Sequence, residues 1–291
     1  MRFTKYAVAL AATGALLLAG CSGGGDLDSG SGEAPAVKED VSFPAGSTME
    51  KLNKAGKITV GTKYDQPLFG LRGLDGNPEG FDVEIAKIIA GELGIDEGNI
   101  EWIEAVSANR EPFIEKGEVD IVVATYTIND TRKEVVSFGG PYYIAGQDLL
   151  VLAGNPDSIE SIDDARGKKV CSVTGSTSAQ NLKDAGVEVI ETDTYSNCLS
   201  PLRQGEVVAV STDNVILAGL VDQNQGEFEV VENPFTEEPY GVGLAKDDDD
   251  FRNFINDTLE ASFTDGRWEQ AWTSTAGTVL ATPEPPTIDR Y

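Results

Sequence analysis

The chain has 291 residues, enough for two lobes or domains, and its 40% hydrophobic and 8% aromatic content calls for a packed core rather than disorder. Lys and Arg number 22 against 49 Asp and Glu, a formal charge of −27, which argues against nucleic acid and anionic membrane surfaces as electrostatic partners. Histidine is absent, which removes Ser-His-Asp and Cys-His catalysis and every His-based metal site.

The first twenty residues read as a targeting segment. Arg2 and Lys5 form a basic start, and Ala7–Leu18 is an apolar run too short to span a bilayer. Leu18-Ala19-Gly20-Cys21 then looks like a bacterial lipobox, which implies cleavage before Cys21 and lipidation of that cysteine. Losing Arg2 and Lys5 takes the mature chain from −27 to −29. Residues 22–46 are rich in Gly, Ser, Asp and Pro and read as a solvated tether. Two cysteines remain, Cys171 and Cys198. In an exported protein an even remainder suggests a disulfide, worth about 3 kcal/mol for a loop of this length.

The globular part begins with a short helix, Met49–Gly56, and a strand, Lys57–Gly61. Thr62–Pro67 is the loop at that strand's end and carries Lys63, a candidate cation. Leu68–Arg72 and the Asp75-Gly76 turn read as a hairpin. Val83–Leu93 is an amphipathic helix stopped by Gly94. Ile100–Ala105 is a strand, and Ala108–Lys116 a short helix with Arg110 near its start. Asp120–Thr125 is an apolar run that reads as a buried strand. It ends in Thr125-Tyr126-Thr127, where hydroxyls collect beyond a strand end, the usual ligand position in open α/β sheets. Asn129–Arg132 begins a helical turn and supplies a guanidinium, the group best shaped to hold a carboxylate by two parallel bonds.

Ser137–Tyr143 crosses out of this lobe, and Gln147–Leu152 begins a second α/β unit. Its strands are Lys169–Val173, Val187–Glu191, Val207–Ser211 and Phe228–Val231. Ser176 and Thr177 stand at the start of the helix Ala179–Ala185, whose free N–H groups suit a carboxylate, although simple capping explains the same residues. Asp213 opens the helix Val215–Val221; it is an N-cap or a partner for an ammonium group. Tyr240–Ala245 crosses back. Asp247–Asp250 complements the dipole of the helix Phe251–Phe263 rather than forming a calcium site. The Pro-rich tail, Thr282–Arg290, is expected to be loosely ordered.

Four stretches carry a family resemblance: GFDVEIAKIIA at 80–90, GEVDIVVATYTINDTRKEVVSFGGPYY at 117–143, CSVTGSTS at 171–178 and YGVGLAKDD at 240–248. Over about residues 50–275 the sequence resembles the family 3 extracellular solute-binding proteins of polar amino acid ABC importers. Within them it is most similar to glutamate-binding lipoproteins of Gram-positive bacteria. The resemblance implies a two-lobed periplasmic-binding-protein fold of type II. Each α/β lobe would be a mainly parallel sheet flanked by helices, joined to the other by two hinge strands. Lobe one would be 49–143 with 242–282, lobe two 144–241, and 283–291 a tail.

It also implies roles. Arg132 and the Thr177 N–H, beside Ser176, would bind a ligand α-carboxylate. Asp213, with Thr125 and Thr127, would take the α-ammonium. Lys63 and Arg110 would hold a side-chain carboxylate, so L-glutamate is the expected ligand, with glutamine or aspartate as alternatives. Three cations against Asp213 leave +2, enough for two carboxylates once Asp213 pairs with the ammonium. Ser107 stands where relatives often carry an aromatic, and Tyr64, Phe69 or Tyr126 could pack on the ligand instead. The expected partners are an ABC permease with its cytoplasmic ATPase and, through Cys21, the membrane. No metal, cofactor, catalytic residue or oligomer is expected.

Overall fold

The structure, a computed structural model, describes residues 36–291. The expected signal segment, Cys21 and most of the tether lie outside the described residues. The strands in chain order are β1 Ile58–Thr62, β2 Asp65–Gln66, β3 Gly70–Arg72, β4 Pro78–Glu79, β5 Ile100–Glu104, β6 Ile121–Val122 and β7 Ser137–Ala145; then β8 Gln147–Leu152, β9 Lys169–Val173, β10 Glu188–Thr192, β11 Ala209–Asp213, β12 Phe228–Val230 and β13 Glu238–Leu244. The helices are α1 Thr48–Ala55, α2 Phe81–Glu92, α3 Arg110–Glu115, α4 Asp130–Lys133, α5 Thr177–Asp184, α6 Leu199–Arg203, α7 Asn214–Gln223, α8 Asp249–Asp265 and α9 Arg267–Thr273.

Two five-stranded sheets share one plan. The first runs β5-β1-β6-β13-β7 and the second β10-β9-β11-β8-β12. In each, three strands are parallel and the last two join antiparallel. The antiparallel strands are the ones that connect the lobes: β7 leads through Gly146 into β8, and β13 returns the chain to the first sheet. The two crossings are tied together where Gln147 N–H donates to Thr236 Oγ1 and Phe235 N–H to the Gln147 carbonyl.

Helix α2 is more buried than an amphipathic helix. Nine of its twelve residues are buried, Asp82 among them, because it lies between β1 and the helices α8 and α9. Its start depends on Gly80. With φ of 129° there, a Cβ would lie 2.4 Å from the Phe69 carbonyl carbon, so no other residue fits. The close approach lets the N–H groups of Phe81 and Asp82 reach the carbonyls of Leu68 and Phe69.

Strand β6 is shorter than the apolar run 120–125, because the chain turns out of the sheet at Thr125, whose φ is +44°. Asp82, fully buried, holds that turn: its Oδ2 accepts from Thr125 N–H at 2.8 Å and its Oδ1 from Tyr142 Oη–H at 2.6 Å.

Both ends of the described chain pack more tightly than composition suggests. Lys38 N–H bonds the Gly91 carbonyl and Phe43 meets Phe254 edge-on, so the tether gives way to docked chain before residue 46. The tail is not loose. Asp289 N–H donates to the Gly140 carbonyl, Tyr291 Oη accepts from Phe138 N–H, and Arg290 grips Asp257 and Glu260. The last residues supply the hydrogen bonds and ion pairs that dock the segment. At the other end of α8's loop, Asp248 acts as the cap, accepting from Phe251 N–H. No helix among the described residues is long and apolar enough to cross a membrane.

Candidate functional site

The lobes meet over a small polar cavity. Arg110, Thr125 and Thr127 line it from lobe one, and Ser176, Thr177 and Asp213 from lobe two. Arg132 and Lys63 adjoin the lining, each bonded to a residue of it. Arg132 Nη1 donates to the Thr127 carbonyl at 2.7 Å, and Lys63 Nζ to Ser107 Oγ at 2.8 Å. All these charged groups are nearly sealed from solvent: Lys63 is 3% exposed, Arg110 3%, Arg132 7% and Asp213 4%.

The guanidiniums are held before any ligand is considered. Arg110 Nη1 donates to the Ala124 and Thr125 carbonyls, and its Nε to the Ser107 carbonyl. Arg132 reaches across to the Gly175 carbonyl of lobe two at 3.3 Å, and its Nε pairs with Glu111 at 3.1 Å. Both lie over the ring of Tyr126, at 4.3 and 4.9 Å from its centroid, so the ring serves as a platform for two like charges. Arg110 is therefore a buried site residue and not a surface residue of its helix.

In lobe two, Ser176 caps α5, accepting from Ala179 N–H and donating to the Val173 carbonyl. The first-turn N–H groups beyond it have no partner inside the helix and carry its positive end. Thr177 Oγ1 donates to Glu238, the first residue of β13, which also accepts from Thr236 and Asn181. Asp213 occupies the N-cap position of α7, yet its side chain makes no cap bond. It turns inward instead: one oxygen accepts from Tyr240 Oη–H at 2.5 Å, and Oδ1 has no partner among the described residues.

Burial sets the titration of the site. It pushes Asp213 up to about 7, with repulsion from Glu238 adding to it and Tyr240, Arg110 and Arg132 opposing it. It pushes Asp82 up to about 7 against its two hydrogen bonds. Lys63 falls to about 7 through burial and the nearby Arg110, and Arg132 to about 10 for the same two reasons.

Two expectations need correction. The charge balance of three cations against Asp213 omits Asp82, Glu111 and Glu238, all of which act on the same groups. None of the three proposed aromatics is a lining residue. Phe69 is locked in a core cluster with Phe81 and Trp272, Tyr64 packs on Arg72, and Tyr126 is the guanidinium platform. Tyr195 of lobe two lines the cavity instead, with Ile216 of α7. Nothing local in the sequence marks Tyr195. Its only signal is Cys198 three residues on, whose disulfide to Cys171 fastens this turn to β9.

Two α/β lobes joined by paired strands and closing over a buried polar cavity define a solute-binding protein of the type II periplasmic-binding fold. The chain belongs to the bacterial extracellular solute-binding proteins, family 3, whose family model matches residues 58–274. It is 42% identical over 290 residues to the glutamate-binding protein GluB of Corynebacterium efficiens, covering 94% of this chain and 92% of that one. To GluB of Corynebacterium glutamicum it is 46% identical over 234 residues, 76% and 79% of the two chains. Among solved structures it is similar to an ancestral arginine-binding protein bound to glutamine, with a TM-score of 0.71, 36% identity, and coverage of 76% and 97%.

Proposed function

We propose that the protein captures L-glutamate outside the cell and hands it to the permease of an ABC importer. The observation that carries this is Asp213 Oδ1, an unpartnered buried carboxylate oxygen in the same cavity as Arg110 and the α5 N-terminus. An amino acid zwitterion matches that division. Its ammonium goes to Asp213 and its α-carboxylate to Arg132 and the Thr177 N–H. Thr125 and Thr127 complete the ammonium end. Because Arg132 and Asp213 belong to different lobes, neither lobe alone satisfies both charges, and closure follows from binding.

The side-chain carboxylate is placed at Arg110, with Lys63 behind Ser107. A carboxylate arriving there favours the charged form of Lys63, which burial otherwise holds near half-protonation at neutral pH. The two GluB relatives support the same ligand. The competing ligand is glutamine, favoured by the extra carboxylates Asp82, Glu111 and Glu238, which already neutralise much of the site's positive charge. The role is binding and not catalysis: the charged groups are committed to holding a ligand at both ends.

Calorimetric titration of residues 36–291 with L-glutamate, L-aspartate and L-glutamine tests the reading. Glutamate is expected to bind at micromolar Kd or tighter, about −8 kcal/mol, and glutamine much more weakly. Glutamine binding more tightly than glutamate would reassign Arg110 and Lys63.

The anchoring of the chain is a further part of the proposal. Lipidation of Cys21 would keep a monomeric binding protein on the outer face of the membrane, on a tether long enough to reach the permease. Full-length protein expressed in a Gram-positive host should incorporate labelled palmitate and stay with the membranes. Cys21→Ser should lose the label and appear in the medium; label retained by the variant would place the lipid elsewhere.

A further inference from the structure

Around the cavity the lobes touch at places where no ligand atom is needed. On the side of α7, Gly219 lies against Pro67, the residue that follows β2. A Cβ on Gly219 would sit 2.5 Å from the Pro67 carbonyl oxygen and 3.1 Å from its carbon. Close by, Asp65 Oδ2 accepts from Tyr195 N–H at 2.9 Å, lobe one to lobe two. Across the cleft, Gly175 approaches Ala108 in the same way, with a Cβ contact of 2.8 Å.

Gly219 is the informative residue. Gly175 has φ of +77°, so its backbone alone calls for glycine. Gly219 has no such excuse. It is in the interior of α7, where its φ is ordinary and where glycine is a poorer helix residue than alanine. Its own lobe would be better served by alanine. What alanine cannot do is let the Pro67 carbonyl come so near.

We infer that Pro67–Gly219 and Asp65–Tyr195 form a latch that holds the lobes shut and sets ligand affinity without contacting the ligand. The inference rests on the binding-protein reading above. Affinity measured for a two-state protein is the intrinsic affinity of the closed form scaled by how readily that form is reached. Contacts made only on closure act on the second factor. They shift the affinity for every ligand of the site alike and leave the ratio between ligands unchanged. The latch also explains why Asp65, a carboxylate at the rim of a site for an anion, is not simply repulsive: it is spent on a backbone N–H of the opposite lobe.

The test uses Gly219→Ala and Asp65→Ala in residues 36–291. Gly219→Ala should weaken L-glutamate binding at least tenfold, and L-aspartate by the same factor. Its thermal unfolding temperature without ligand should be equal or higher, because the helix gains a better residue. Asp65→Ala should weaken both amino acids three- to tenfold, mainly through faster dissociation. In small-angle scattering with saturating glutamate, Gly219→Ala should have the larger radius of gyration. Unchanged affinity in Gly219→Ala overturns the latch. So does a loss of affinity that comes with a lowered unfolding temperature, which marks a merely structural role, or one that differs between the two amino acids. If wild type binds no glutamate, the ligand reading fails separately. The latch is then judged on the radius of gyration without amino acid, where Gly219→Ala should again be the larger, and equal values overturn it.

Discussion

Arg132→Lys raises the Kd for glutamate by two to three orders of magnitude, although the substitution keeps the charge. The reason lies in what the guanidinium already holds. Its Nη1 is bonded to the Thr127 carbonyl, its Nη2 reaches the Gly175 carbonyl of the other lobe, and its Nε pairs with Glu111. Only a planar fork with five donors can keep these and still present N–H groups to a carboxylate. An ammonium at the same place satisfies one or two of them. It also gives up the contact with the Tyr126 ring. Losing a buried, hydrogen-bonded charge partner typically costs about 2–5 kcal/mol, and the hundred- to thousandfold range is about 3–4 kcal/mol of that. Calorimetry at one pH and salt concentration checks it. A change of less than fivefold would remove Arg132 from the ligand's first contacts. Glu111→Gln is the companion variant: it leaves the fork intact, and its effect should stay below tenfold.

Much of the fold was legible because its signals are local. The strand Lys169–Val173 has the bounds that its apolar run suggests, and α1 ends at Gly56, whose φ is +65°. What escaped was set by tertiary contact. The run 120–125 looks like a full strand, but Asp82, about forty residues earlier in the chain, captures Thr125 N–H and turns the backbone out of the sheet. Asp82, Glu111 and Glu238 carry no local signal that would single them out. A sequence places each beside its chain neighbours, not beside the cation it meets in space. The candidate cations were found by a mixture of means. Arg132 and Lys63 both follow strand ends, the usual place for a ligand, whereas Arg110 has no local pattern and its role came from the family resemblance. Tyr195 had neither, because a turn residue held by a disulfide and a hydrogen bond from the other lobe leaves no periodic trace.

Asp213→Asn abolishes tight binding and stabilises the amino-acid-free protein, two large effects of opposite sign from one proton. The binding loss follows from the missing charge: an ammonium group that met a carboxylate now meets an amide, and a loss of at least a hundredfold is expected. The stability gain follows from burial. In the unfolded chain the carboxyl has its ordinary value of 3.8, whereas in the fold it is pushed up to about 7. Between those values the folded protein binds more protons than the unfolded one, so stability falls as pH rises from about 4 to 7 and is level above it. The full difference is about 4 kcal/mol at 1.36 kcal/mol per pH unit. Asparagine stays neutral throughout and keeps an oxygen for the Tyr240 hydroxyl, so it escapes this cost. Chemical denaturation of wild type and variant at pH 4, 5.5, 7 and 8, without amino acid, reads the effect directly. The variant's advantage should be small at pH 4, open through 5.5, and reach its full size by pH 7–8. An advantage that does not change with pH would mean that the Asp213 carboxyl is not buried in the amino-acid-free protein. A variant less stable than wild type at pH 8 would mean that the carboxylate is paired there, and that the cation it awaits is already part of the chain.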